Sequence, residues 1–314
     1  MFSSPSRRCL ALITGASIAF LAGCGSSSDS GKDESSAPDA ASSSSSRITV
    51  VASTNVYGDI VKQIGGDSVD VTSIISDPGQ DPHSFEANTQ NQLTLSKAKL
   101  VVENGGGYDD FVDKMLRSSK SSAEVINAVK VSGKVAPKGG ELNEHVWYDF
   151  PTVAKIADSI AAALGKADPG QAATFTKNAQ TFTSKLTPLE TKEAEIKKEH
   201  DGAGIGITEP VPLYMTEGSG LVNKTPVEFS EAIEEGDDVS PRVLQETLAL
   251  YSDKQVKALV YNAQTSGPQT EKVENAAKAA GIAVVPVTET LPEGKDYLGW
   301  MTSNVDALAS ALAK

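Results

Sequence analysis

Cysteine is almost absent from this 314-residue chain, which has only Cys9 and Cys24. That scarcity excludes a disulfide-dense scaffold and a cysteine zinc finger. Histidine is scarce too, with three in all, at 83, 145 and 200. Aromatic residues make up 5%, which weakens any reading as a receptor with an aromatic-lined cleft. Lysine and arginine number 28 against 41 acidic residues, so the basic footprint needed for nucleic acid is missing. Neither Gly-x-Gly-x-x-Gly nor His-Glu-x-x-His nor Gly-x-Ser-x-Gly occurs, which argues against a nucleotide cradle, a zinc peptidase helix and a serine-hydrolase elbow. The longest apolar run, Leu10 to Leu21, is too short to span a bilayer comfortably.

That run sits in a leader. Arg7 and Arg8 precede it, and Leu21-Ala22-Gly23-Cys24 follows, giving a basic segment, an apolar segment and small residues at a cut site. The four residues resemble the bacterial lipobox, in which the cysteine is acylated and becomes the first residue. Residues 1–23 are therefore expected to be a lipoprotein signal peptide and Cys24 the lipidation site. After removal of Arg7 and Arg8 the chain keeps 26 basic and 41 acidic side chains, a formal charge of −15. Residues 24–46 are mostly Ser, Ala, Asp and Gly, with almost nothing to bury, and read as a disordered tether. The expected location is the extracytoplasmic face of the cell membrane, lipid-anchored.

From Ile48 the chain alternates strand and helix patterns. Ile48–Thr54, Val69–Ile75, Leu100–Asn104 and Glu124–Asn127 read as strands, with helical runs at Val56–Ile64, Thr89–Ala98 and Asp109–Leu116. Gly105-Gly106-Gly107 reads as a tight turn back into a helix. Pro151–Leu164 is helical. Between Pro169 and His200, Phe175, Phe182, Leu189 and Ile196 recur every seven residues, giving one long helix with a narrow apolar stripe, kinked at Pro188. The alternation then resumes, with strands at Gly204–Thr208, Val256–Tyr261 and Ile282–Val287 and helices at Val211–Gly218, Pro241–Tyr251, Gln269–Ala280 and Tyr297–Leu312. The expected fold is α/β in two lobes, residues 47–167 and 202–314, each a mostly parallel sheet flanked by helices. The helix of residues 168–201 joins them.

Four groups stand on loops that lead into helices: His83 in Asp77-Pro78-Gly79-Gln80-Asp81-Pro82-His83-Ser84-Phe85-Glu86, His145 in Asn143-Glu144-His145-Val146-Trp147, Glu209 and Glu289. Loops at the ends of parallel strands line a common crevice. Two imidazoles and two carboxylates make a credible first shell for a divalent transition metal, although gaps of 62 to 80 residues mean that only tertiary structure can unite them. His200, at the charged end of the long helix, is set aside as a ligand.

The same segments resemble the metal-binding lipoproteins of bacterial zinc and manganese ABC importers, the cluster with a rigid helical backbone. The resemblance runs from Ile48 to the C-terminus. It rests on Asp81-Pro82-His83-Ser84-Phe85-Glu86, Glu144-His145-Val146-Trp147, the linking helix and Thr208-Glu209-Pro210-Val211, together with the stretches Leu259-Val260-Tyr261-Asn262 and Val287-Thr288-Glu289-Thr290-Leu291-Pro292. It implies a receptor, not an enzyme, which binds one ion between its lobes and presents it to an ABC permease and ATPase, as a monomer. It places His83 and His145 at the two histidine ligands. Glu209 falls where members carry a histidine or a glutamate, and Glu289 where an aspartate is usual. The His-rich loop of many zinc receptors is missing. Two carboxylates move the preference toward Mn2+ or Fe2+, while Zn2+ still binds tightly by the usual affinity order.

With neutral imidazoles and ionised glutamates required, affinity is expected to fall as pH drops through about 6.5. Asn55, Asp81 and Asn262 are candidates to orient the ligands, though each also suits ordinary loop capping. The rival readings are a secreted metallohydrolase on the same donors, a siderophore or cobalamin receptor of the same architecture, and an adhesion module.

Overall fold

The computed structural model describes residues 47–77, 80 and 85–313. The expected leader, Cys24, the tether and His83 with its neighbours Asp81, Pro82 and Ser84 lie outside the described residues. The described residues belong to one compact unit.

The first half runs β1 (Ile48–Thr54), α1 (Asn55–Gly65), β2 (Val69–Ile75), α2 (Thr89–Ser96), β3 (Leu100–Glu103), α3 (Asp110–Ser119), β4 (Glu124–Asn127), α4 (Ala128–Ser132) and α5 (Phe150–Ala167). Its strands form a parallel sheet in the order β2-β1-β3-β4. Val50, Val51 and Ala52 are fully buried, as a central strand covered on both faces requires. Helix α1 starts directly at the end of β1 and buries Val56, Tyr57, Ile60, Val61 and Ile64 along one face.

The expected long helix is present as α6 (Ala172–Ser184) and α7 (Thr187–His200), interrupted at Lys185-Leu186. Pro188 offers no N–H to the carbonyl of Ser184, and its ring crowds that turn. The chain instead closes the break with tighter bonds, from Lys185 N–H to the Phe182 carbonyl and from Leu186 N–H to the Thr183 carbonyl. All four stripe residues, Phe175, Phe182, Leu189 and Ile196, are buried.

The second half runs β5 (Gly204–Ile207), α8 (Leu213–Gly218), β6 (Val222–Asn223), α9 (Val227–Glu234), α10 (Pro241–Ser252), β7 (Ala258–Asn262), α11 (Pro268–Ala279), β8 (Ala283–Val287) and α12 (Tyr297–Leu312). The order β6-β5-β7-β8, again parallel, repeats that of the first sheet. The short β6 and α9 were not foreseen.

One apolar core serves both halves, taking in Val50 and Tyr57, Phe182 and Leu189, Ile207 and Val260, and Met301 and Leu308. Hydrogen bonds, partly or fully buried, fasten the halves beside it. Asn55 donates from Nδ2 to the Leu291 carbonyl and accepts from the Leu291 N–H, both at 2.9 Å. The Tyr297 hydroxyl donates to the Trp147 carbonyl at 2.6 Å, and that of Tyr148 to the Thr288 carbonyl at 2.7 Å.

Candidate metal centre

His145 is fully buried at the head of a short 3-10 turn, Val146–Tyr148. Its ring meets Trp147 edge-on at 5.1 Å and Tyr108 at 5.8 Å. The side-chain oxygen of Asn143 lies 3.0 Å from the His145 backbone N–H and 2.8 Å from Nδ1. An amide oxygen only accepts, so Nδ1 carries the ring proton and Nε2 presents the lone pair. Asn143 also donates to the Pro210 carbonyl at 3.1 Å, which ties the histidine loop to the loop of Glu209.

Nε2 faces carboxylates. Glu289 Oε2 lies 3.9 Å away and Glu234 Oε1 3.5 Å away. Burial by itself would lower the His145 pKa, but Glu289, Glu144 and Glu234 outweigh it and leave the pKa raised.

Glu209 and Glu289 follow β5 and β8 closely, and both are about 99% buried. A single amide joins them: Asn262 Nδ2, at the end of β7, donates to Glu209 Oε2 at 2.6 Å and to Glu289 Oε1 at 2.8 Å. The Tyr108 hydroxyl donates to Glu289 Oε2 at 3.2 Å. Tyr108 arrives there because Gly105, Gly106 and Gly107 all adopt positive φ and turn the chain back. At Gly105 a side chain is doubly barred, since an added Cβ would fall 2.1 Å from Asn127 Nδ2. Burial and the neighbouring Glu289 push the Glu209 pKa up to about 8. Among the described residues, Glu209 Oε1 is buried with no hydrogen-bond partner.

The third acidic side is Glu234, at the end of α9, with Glu144 beside His145. Ligand atoms of Glu144, His145 and Glu234 all lie within 4.8 Å of one another. Glu144 and Glu234 also line a cavity of about 670 Å³ that carries Glu141, Glu217, Glu231 and Glu235 as well. Partial burial, then Glu141, Glu235 and Glu228, hold Glu231 above its ordinary range.

Residues 50–311 match the family described as zinc-uptake complex component A, periplasmic. The chain belongs to that family. The manganese-binding lipoprotein MntA of Bacillus subtilis is 27% identical over 307 residues, covering 93% of this chain and 95% of its own. Two solved structures share the fold. The laminin-binding adhesin Lmb of Streptococcus agalactiae, in a mutant form, aligns with a TM-score of 0.72 at 24% identity, over 84% of this chain and 99% of that one. The periplasmic zinc-binding protein TroA of Treponema pallidum aligns with a TM-score of 0.72 at 21% identity, over 85% and 100%.

Of the four side chains expected to form the family's site, Glu289 lies 3.9 Å from His145 Nε2, and Glu209 is joined to Glu289 through Asn262. His83 lies outside the described residues. Its loop is followed as far as Gln80, whose carbonyl accepts from Gln264 Nε2 at 3.4 Å. The same Gln264 side chain accepts the backbone N–H groups of Glu289 and Thr290. Asn262 does touch the ligand candidates, whereas Asn55 fastens the two halves; Asp81 lies outside the described residues. The sequence reading missed Glu234 and Asn143. Asn143 carried a signal, an amide two residues ahead of a histidine, the spacing of an Asx turn. Glu234 had a fainter one: Thr225-Pro226 opens and Gly236 closes an eight-residue helix whose Phe229 and Ile233 are buried.

Proposed function

We propose that this protein is the extracytoplasmic receptor of an ABC importer, capturing one divalent transition metal ion and delivering it to the permease. The observation that carries the proposal is the pair of buried carboxylates, Glu209 and Glu289, bridged by Asn262 beside the Nε2 of an oriented, buried histidine. Two adjacent acids in an apolar interior are costly unless a proton or a cation neutralises them, and a divalent ion neutralises both at once. His145, Glu209 and Glu289 supply one nitrogen and two oxygen donors, and His83, on the loop followed to Gln80, is proposed as the fourth ligand. This mixed set suits Mn2+ and Zn2+, the metals in the names of MntA and TroA, and Fe2+ fits the same donors. The family is that of an uptake-complex component and not of an enzyme.

Attachment through an acylated Cys24, with residues 24–46 as a tether, completes the reading and agrees with the lipoprotein designation of MntA. Among the described residues no helix is long and apolar enough to cross a membrane. A monomer working with a separate permease and ATPase is the proposed arrangement. The lobes are proposed as residues 47–167 and 202–314.

Native mass spectrometry of metal-stripped protein offered Mn2+, Fe2+ and Zn2+ in competition tests the proposal. One bound ion per chain is expected. Retention of none of the three would overturn it.

A further inference from the structure

Glu234 has no part in the ligand set proposed above, yet it joins two places. Its carboxylate lies 3.5 Å from His145 Nε2, and the same residue lines the 670 Å³ cavity. Six glutamates face that cavity, Glu141, Glu144, Glu217, Glu231, Glu234 and Glu235, against one nearby cation, Lys134, held over the ring of the lining residue Tyr214 at 4.1 Å. Its walls come from both halves, the loop of residues 135–144 on one side and the α8–α9 region on the other. A low-dielectric pocket walled by charges of one sign concentrates counter-ions and speeds their arrival. Glu234 also ends α9, and the partial negative charge at a helix C-terminus adds to the same field.

His145 is what distinguishes this cluster from a merely acidic surface. It is fully buried, and Asn143 fixes its tautomer so that Nε2 is the ligand atom. Glu144 and Glu234 bring oxygens to within 4.8 Å of that histidine, a spacing a single divalent ion can bridge with small side-chain adjustment. Glu289 approaches the same Nε2 at 3.9 Å. One imidazole thus has carboxylates toward the cavity and carboxylates toward the interior.

We propose that Glu144, His145 and Glu234 form an outer cation site on the entry route, where the ion is first held before passing to Glu209 and Glu289. His145 stays bound while the carboxylates exchange. A hydrated Mn2+ or Zn2+ sheds water in stages instead of all at once, and the barrier to entry falls. This rests on the reading of His145, Glu209 and Glu289 as the resident site.

A waypoint has a kinetic signature that a resident ligand lacks. Lowering the barriers on either side of an intermediate speeds entry and exit by the same factor and leaves the equilibrium constant alone. The experiment follows Mn2+ or Zn2+ binding to the full chain by stopped-flow tryptophan fluorescence, since Trp147 lies 5.1 Å from His145. Dissociation is read by chelator chase. E234Q is expected to lower the association and dissociation rates together by about tenfold, so that Kd moves far less than either rate. E234D, which keeps the charge, should recover most of the rate. A melting temperature equal to wild type in the metal-free state shows that the fold is intact. Unchanged rates in E234Q would overturn the inference while leaving the receptor reading in place. So would a faster dissociation at unchanged association, which would make Glu234 a resident ligand. Failure of the wild-type protein to bind either ion would remove the receptor reading as well.

Discussion

The two sheets have the same strand order, and they differ in what they place at the cleft. The first, β2-β1-β3-β4, ends in loops that bring an imidazole, Tyr108 and the Trp147 ring. The second, β6-β5-β7-β8, ends in carboxylates and an amide: Glu209 after β5, Asn262 closing β7, Glu289 after β8. In the second sheet these side chains sit within two residues of a strand, so the ladder itself positions them. In the first, His145 comes after α4 and a long irregular stretch, and Asn143 with its bond to Pro210 does the positioning. A repeated topology therefore does not repeat its chemistry. One half supplies a soft, rigidly aimed nitrogen, and the other a pair of hard oxygens in a shared hydrogen-bond bracket.

The strongest way to break this contrast is to remove each side in turn. His145→Ala should weaken Zn2+ binding by roughly 10²–10³-fold, one ligand's share of a site worth about 10–16 kcal/mol. Glu209→Ala should hurt Mn2+ more than Zn2+, because manganese depends more on oxygen donors. Competition titration with a chromophoric chelator reads both. Equal losses for both metals in both variants would dissolve the distinction.

Next in size is a pH effect on the metal-free protein. Glu193, on α7, is buried with its carboxylate against Gly218, and burial first, then Asp149 and Glu190, push its pKa up to about 8. An acid with a raised folded-state pKa stabilises fully below its ordinary 4.5, and that contribution is lost as pH rises toward 8. Stability should thus fall by on the order of 3 kcal/mol across that window, and Glu193→Gln should flatten the fall. Denaturant titrations at pH 5 and pH 8 measure it. A wild-type profile with no slope would discard the argument.

Smaller effects test the orienting amides. Asn262→Ala and Asn143→Ala should each cost about 10–100-fold in metal affinity, the usual price of losing a partner that holds a ligand in place. If only Asn262→Ala does so, the first sheet's loop is rigid without its amide. Least of all, Asn55→Ala removes two hydrogen bonds between the halves and should lower stability by about 1–3 kcal/mol, leaving affinity nearly unchanged, as calorimetry on stripped and loaded protein would show.

Much of this was legible in the sequence because period and punctuation agreed. The strands at 48–54, 69–75 and 100–103 are β-branched runs ended by polar or glycine residues. The heptad of Phe175, Phe182, Leu189 and Ile196 placed a buried stripe on a helix whose break Pro188 announced. Glu209 and Glu289 stood out because each closes a strand. Glu234 did not, since α9 is a short helix of eight residues and the surroundings of Glu234 depend on what faces it across the cleft. No local pattern records that. Asn262 was named as a candidate, yet its bridging of two acids is a property of the packed state alone.

The paired bonds between Asn55 and Leu291, with Tyr297 and Tyr148 anchored across the same seam, weld the halves along one edge. Halves fastened there should open little, so empty and laden forms are expected to have nearly the same outline and the same radius of gyration by small-angle scattering. A transporter that admits only laden receptors must then recognise a patch of a few loops. That patch must carry news of the ion's presence to the surface without help from any large swing of the body.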